Sequence, residues 1–285
     1  MAACAAAHMR KGRGPAISGT RFLAAVALIA CARELVATGR GEDNEPPGMN
    51  KLTERPFSSL VEDGWGVPGP PDINNYTIVT DQRAPKSGPS VGAIRFPAGF
   101  QGGTSPALSE KSLESKYGTL YISAWIKISS NWVGHPTGTN KVFHFWIADL
   151  NRVFAYIDGS GTNTLQPYIG LQAIAVPYYD GAGQTSTSVN LRPNVAQPGF
   201  QLERGKWYHW EMLFVANTNG GADGTAQWWI NGVQVGNYTG IPYVSASQSR
   251  NFNVMRWDPT WGGLGGQVPA DQYMYLDHIY VSGKP

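Results

Sequence analysis

From Phe57 onward the chain reads as short strand-like runs, some alternating apolar with polar residues and some apolar on both faces. In GTLYISAWIKIS, Leu120, Ile122, Ala124, Ile126 and Ile128 point one way, and Tyr121, Ser123, Trp125 and Lys127 the other. A period of two is that of a strand with one face in a core. The outward face still carries Tyr and Trp. KVFHFWIAD and KWYHWEMLFVA are apolar on both faces, as in central strands covered on both sides or lining a concave surface. QWWINGVQVG sets Asn231-Gly232 between two alternating runs, a two-residue hairpin turn that needs positive φ. YMYLDHIYVSG reads as a last strand that returns to pair beside the first. The one helix candidate is SPALSEKSLESKYG, a short piece over a sheet edge or end. Such strands, separated by Gly, Pro, Asn and Asp clusters, predict an all-β fold, an antiparallel two-sheet β-sandwich over residues 57–285.

Composition agrees with strands and turns. Only 15% of the 285 residues are charged, while 12% are aromatic, a balance unsuited to long helices. The formal charge of +2 hides an uneven distribution. Residues 1–30 hold Arg10, Lys11, Arg13 and Arg21 and no acid; the rest carries 18 basic against 20 acidic residues. That is no electrostatic footprint for nucleic acid. The basic MRKGRGPAISGTR followed by the short apolar FLAAVALIA reads as an export signal over residues 1–30, with Met9 as an alternative start. Its end, Leu28-Ile29-Ala30-Cys31, resembles the bacterial lipobox, which implies lipidation of Cys31. An ordinary signal peptide with an incidental cysteine is the other reading. Residues 31–56, with Pro, Gly and charge and no apolar period, read as a flexible tether. The only other cysteine is Cys4, so a mature chain has no disulfide and is held by its core.

GKWYHWEMLFVANTNGGADGTAQWWINGVQVGNYTGI, with the closing YLDHIYVSG, resembles the C-terminal half of the concanavalin A-like jelly rolls. The resemblance covers roughly the last 80 residues well, and LYISAWIKIS more loosely. It implies a jelly roll and is silent on function, because that superfamily holds laminin G-like modules, legume-type lectins, glucanases and several polysaccharide lyases.

The chain has no Walker loop, dinucleotide fingerprint, HExxH or CxxC, and Ser105 and Ser160, which lie near glycines, do not sit in G-x-S-x-G. A glucanase of this fold carries acids alternating along one strand to flank the scissile bond; here Glu211 is the only glutamate on a clear strand, and Asp149 ends another. A lyase needs a base for the sugar C5 proton and cations for the uronate carboxylate. His144 is the candidate base, Arg256 the carboxylate partner, and Tyr178 or Tyr179 the proton donor to the leaving oxygen. The Y-x-K-x-G-x-Y strand of alginate lyases of this fold is missing, and His144 also reads as a buried, hydrogen-bonded histidine. Sugar binding alone needs flat aromatic faces and amides. Trp125, Trp146, Trp257 and Trp261 supply the faces, and Asn140, Gln172 and Asn217 the polar contacts. Trp257 and Trp261, in a Gly- and Pro-rich loop, are expected to be at least half exposed, with Trp261 the contact and Trp257 its support; Trp207, Trp210 and Trp228 are expected in the core or inner sheet. The resemblance also implies a structural Ca²⁺ held by a final-strand aspartate, for which Asp277 stands in the matching place; the other reading is a plain strand-end aspartate. No cofactor is otherwise required.

Three functions follow from the sequence. The first is an exported, lipid-anchored protein of the cell envelope, periplasmic or cell-surface, that binds carbohydrate on a concave aromatic-lined sheet. The second is a polysaccharide lyase acting on a uronate-containing glycan. The third is a non-catalytic accessory subunit docking on a membrane protein complex. If Cys31 carries the anchor, Cys31→Ser releases the protein from membranes into the soluble fraction on fractionation, since firm attachment takes several acyl chains; unchanged partition would contradict the anchor.

Overall fold

The computed structural model describes residues 44–66, 73–148, 151–179, 185–195 and 199–285. The leader, Cys31 and Asp149 lie outside them. Sixteen strands run through the described residues: β1 (Asn50–Arg55), β2 (Tyr76–Thr80), β3 (Ser90–Phe96), β4 (Ser109–Tyr117), β5 (Thr119–Ile128), β6 (Thr139–Ile147), β7 (Asn151–Asp158), β8 (Gln166–Gln172), β9 (Tyr178–Tyr179), β10 (Thr185–Ser186), β11 (Ser188–Leu191), β12 (Trp207–Val215), β13 (Gly224–Ile230), β14 (Val233–Ile241), β15 (Phe252–Trp257) and β16 (Gln272–Lys284). Fourteen of them form an antiparallel sandwich, and β9 and β10 pair with each other as a separate two-stranded sheet. One sheet has eight strands in the order β14-β13-β12-β5-β16-β3-β2, with β1 also paired to β16. The other has six, β11-β8-β7-β6-β15-β4. The long β16 pairs along one side with β3 through Gln272–Leu276 and with β1 through Ile279–Gly283, and along the other side with β5. The last strand thus lies beside the first, as the sequence predicts.

The alternation seen in the sequence is the alternation between core and surface. Leu120, Ile122, Ala124 and Ile126 of β5 and Trp210, Met212 and Phe214 of β12 bury their side chains toward Phe143, Phe145 and Ile147 of β6 and Val153, Ala155 and Ile157 of β7. The rings of Phe145 and Phe214 meet across the sheets, 5.3 Å between centroids. At the Asn231-Gly232 turn, Asn231 takes φ 52° and Ile230 faces Val233, a two-residue hairpin whose left-handed residues match strand twist.

Three expectations are corrected. SPALSEKSLESKYG is the strand β4, pairing with β15; Leu113 is buried in the core, so tertiary pairing overrides a weak helix preference. The segment read as tether through residue 56 is ordered at its end. Asn50–Arg55 is β1, and Asn44 donates from its backbone N (3.1 Å) and Nδ2 (2.9 Å) to the Glu211 carboxylate. Trp207 lies on the outer face of the eight-stranded sheet, its Nε1 donating to Asp81 Oδ2 at 3.1 Å. Lys127, outward as expected, is not a free surface side chain: it pairs with Asp81 and sits over the rings of Trp207 and Tyr275, 4.8 and 4.5 Å from their centroids.

Two stability measurements check this register. Ile122→Ala is expected to cost about 2–5 kcal/mol in denaturant unfolding, the range for deleting a buried branched chain. Lys127→Ala is expected to cost more than the ~0.5 kcal/mol of an ordinary surface change. An Ile122 variant as stable as wild type would place the wrong face of β5 in the core.

Candidate functional site

The outer face of the six-stranded sheet collects aromatic and charged side chains in register. On β7 the alternation leaves Val153, Ala155 and Ile157 inside and turns Arg152, Phe154, Tyr156 and Asp158 out. On β6, His144 lies opposite Arg256 of β15 on one side and Phe154 on the other. Arg256 in turn lies opposite Glu110 of β4.

His144 is the centre of this face. Its ring meets Phe154 edge-on at 4.5 Å and Trp146 at 5.8 Å. Nδ1 is 3.3 Å from Asp258 Oδ2, and Nε2 is buried without a hydrogen-bond partner. Burial, reinforced by Lys141, Arg256 and Arg152, pushes the imidazole well below its ordinary value, so it is neutral at pH 7. Burial also raises the Asp258 carboxyl, against a hydrogen bond from Ser105 and the charges of Arg256 and Lys141. A carboxylate facing Nδ1 selects the tautomer with the proton there and leaves Nε2 as the basic atom.

Cations line the rest. Arg256 is paired through Nε to Glu110 and lies over the Trp146 ring at 4.5 Å, with Arg152 at 5.9 Å from the same ring. Lys141 lies over Phe154 at 4.5 Å, and burial lowers its pKa. Farther along, Tyr156 and Tyr168 stack at 4.8 Å and 10°. A Cβ on Gly170 would stand 2.1 Å from the Tyr156 ring, so only glycine there lets that ring lie against β8. Arg192 covers Tyr168 at 4.6 Å and pairs with Asp158. Burial, then the charge of Asp158, pushes the Tyr168 phenol up to about 12, and burial raises Tyr156 further. Both stay protonated at neutral pH. The face therefore offers a neutral imidazole, guanidinium groups on flat rings, and protonated phenols.

No family model and no curated protein matches the chain. Solved structures do. The endo-β-1,4-glucuronan lyase of the fungus Trichoderma reesei superposes with a TM-score of 0.57 at 15% identity, over 82% of this chain and 96% of that one. An alginate lyase from a Chlorella virus gives 0.55 at 13%, over 78% and 93%. A mutant alginate lyase in complex with alginate trisaccharide gives 0.52 at 18%, over 75% and 90%. The chain has the concanavalin A-like, polysaccharide lyase-like jelly-roll fold. At these identities the likeness is one of fold.

The jelly roll brings only part of the sequence-predicted set together. His144, Arg256 and Trp146 share one face, and Gln172 ends β8 in the same sheet. Tyr178 does not join them: its hydroxyl donates to Thr239 O of β14 at 2.8 Å, and its ring packs on the core. Tyr179 beside it is 59% exposed. Trp125 lies on the outer face of the other sheet, stacked on His209 at 4.8 Å. It cannot line one groove with Trp146, because the sandwich separates them.

The expected exposure of the Trp loop is wrong for both residues. Trp257 is fully buried, edge-on to Phe57 and Tyr76 at 5.8 and 5.3 Å. Trp261 is 2% exposed; its Nε1 donates to Val133 O at 2.8 Å and its ring meets His135 at 4.6 Å. The loop is a plug. A Cβ on Gly262 would stand 1.7 Å from the His135 ring, so that glycine clears space for the protein's own histidine and not for a ligand. Asn140 is also structural, its Nδ2 donating to Ile157 O at 2.9 Å and to Gly138 O and Gly159 O. Asn217 clips two loops, donating to Gly221 O and Val244 O and accepting from Val244 N. Asp277 accepts backbone N–H groups from Lys86 (2.7 Å) and Ser87 (2.9 Å). Those donors face the oxygens that a Ca²⁺ would need, so the surroundings do not fit a cation.

The residues that sequence reading missed are Glu110, Lys141, Arg152, Tyr156, Tyr168, Arg192 and Asp258. NRVFAYID held the signal for two of them: a strict alternation whose polar half is Arg, aromatic, aromatic, Asp.

The depressed imidazole has a consequence for stability. Its value in the unfolded chain is about 6.5, and the folded value lies below that. As pH falls the unfolded chain binds the proton first, so stability is full above about pH 6.5 and declines below it. His278, also lowered by burial, adds to the same slope. Urea unfolding at about pH 7.5 and about pH 5.5 is expected to show a loss that is smaller in His144→Gln than in wild type. Equal losses in both would contradict a neutral, buried His144.

Proposed function

We propose that the outer face of the six-stranded sheet binds a uronate-containing polysaccharide and cleaves it by β-elimination. The observation that carries this reading is the opposition of His144 and Arg256 across β6 and β15, with the imidazole neutral and its Nε2 unpartnered. In such a reaction Arg256, with Arg152 and Lys141 near it, neutralises the uronate carboxylate and makes the C5 proton more acidic. His144 Nε2 takes that proton, the electron pair forms the C4–C5 double bond, and the glycosidic oxygen leaves from C4. Tyr156, a protonated phenol two residues along β7 from Phe154, replaces Tyr178 as the donor to that oxygen. From β4 to β8 the face crosses four strand gaps, about 19 Å at ~4.8 Å each, enough for a short oligosaccharide. The lyases that share the fold have glucuronan and alginate in their names, which supports a polyuronate as the ligand class.

Binding without cleavage is the second reading. It is favoured by the pairing of Arg256 with Glu110 and by the enclosure of His144, 7% exposed. In either case we place the protein outside the cytoplasm, held at the envelope through Cys31. The sequence pattern of residues 1–31 supports this.

A panel of polyuronates and glycosaminoglycans, read both for binding and for the ultraviolet absorbance of unsaturated product, separates the readings. The expected result is product from at least one polyuronate, with His144→Gln slower by on the order of 10²–10⁴-fold and still able to bind. Binding with no product selects the lectin-like reading. No binding to any polyanion would overturn both.

A further inference from the structure

The eight-stranded sheet carries separate chemistry on the opposite side of the sandwich. The pairing of β16 with β5 slips by one residue between Asp277 and Ile279, and the residue left over is His278. It is buried, with φ 56°, a left-handed conformation that a non-glycine residue keeps only when its surroundings hold it. A bulge of this kind re-aims a side chain. Here it aims the imidazole at a serine. Ser87 Oγ lies 2.5 Å from His278 Nδ1, and His278 Nε2 lies 3.2 Å from Glu54 Oε1 on β1. The neighbouring Asp277 carboxylate takes the backbone N–H groups of Lys86 and Ser87 and so fixes the loop that carries the serine.

The protonation states agree with this geometry. A hydrogen bond from Lys51, with the charges of Lys51 and Lys86, lowers Glu54 against burial, so it is a carboxylate. Burial, then the charge of Lys86, lowers His278, so it is neutral. The Glu54 carboxylate 3.2 Å from Nε2 is not aligned as a hydrogen-bond acceptor, but its charge favours the tautomer with the proton on Nε2; Nδ1 then accepts the Ser87 hydroxyl proton, the arrangement that activates an oxygen nucleophile. Ser87 is half-buried in a loop whose neighbours Lys86 and Gly88 are exposed, within reach of a group projecting from a large molecule.

We infer that Ser87, His278 and Glu54 form a second reactive site, an acyl-transfer centre that hydrolyses esters of small carboxylic acids carried on larger alcohols. Ser87 Oγ adds to the ester carbonyl carbon as its proton passes to His278 Nδ1. The tetrahedral adduct expels the alcohol oxygen, which takes that proton and leaves an acyl-serine. Water then adds to the acyl carbon, giving its proton through His278 back to Ser87, and the carboxylic acid departs. Lys86, next to Ser87 in the loop and exposed, is the cation assigned to the oxyanion. Another serine on this side, Ser123, lies 2.7 Å from His209 Nε2, with His209 Nδ1 3.6 Å from Glu211. It is 2% exposed and serves as the control.

The test uses the whole purified protein with a fluorophosphonate probe and p-nitrophenyl acetate. The expected result is one phosphonylated serine, located by mass spectrometry at Ser87. That adduct and the esterase activity are lost in Ser87→Ala and kept in Ser123→Ala. His278→Asn, which tolerates the left-handed backbone but cannot serve as base, is expected to slow labelling by on the order of 10²-fold or more. Absence of any adduct, or an adduct that persists in Ser87→Ala, overturns the site. If His278→Asn fails to fold, the serine variants decide alone.

Discussion

Two sheets that bury one face each against the other leave every second residue of every strand no choice but to point outward. On β6 the core takes Phe143, Phe145 and Ile147, and this alone sends His144 and Trp146 to the outer face. The partners of those residues are then set by register. Arg256 arrives beside His144 because Phe143 and Trp257 are paired one step away, both of them core residues. Chemistry on this molecule is thus a by-product of where its apolar residues must go. A one-residue slip in β15 would move Arg256 into the core and Trp257 to the surface.

The ends of the sandwich follow the same logic. A shared core between open sheets must be sealed where the strands stop, and here the seals are Trp261 with His135 at one loop and the Asn217 clip at another. Both cysteines precede the described residues, so these contacts and the packing between sheets carry the fold. Polar side chains at the seals are consumed by backbone groups: Asn140 and Asn217 satisfy loop carbonyls that would otherwise be buried unpaired.

Much of this was legible in the sequence. Alternation located β5, apolar runs located β6 and β12, and Asn-Gly located the 231-232 hairpin, because those signals are local. The site was only half legible. His144 and Arg256 could be named as single residues, but their opposition depends on β6 and β15 being neighbours in the sheet, which no local pattern encodes. Tyr178 went astray because a tyrosine in a long polar loop gives no sign of the backbone carbonyl it will find. Trp261 went astray because glycines beside a tryptophan look the same whether they admit a ligand or His135. The helical reading of β4 failed because a charged edge strand has helix-like composition, and only its pairing partner decides.

The two outer faces differ in kind. That of the six-stranded sheet places guanidinium groups on flat rings around a neutral imidazole; that of the eight-stranded sheet ties its histidines to serines and carboxylates. The central claim is that an anionic glycan is read by the former. A crystal structure of the protein with a bound oligouronate tests it most directly. The sugar is expected across β15, β6 and β7, its carboxylate on Arg256 in place of Glu110 and a ring against Trp146. An oligouronate seated instead on the opposite sheet, against Trp125 and His209, would contradict the account.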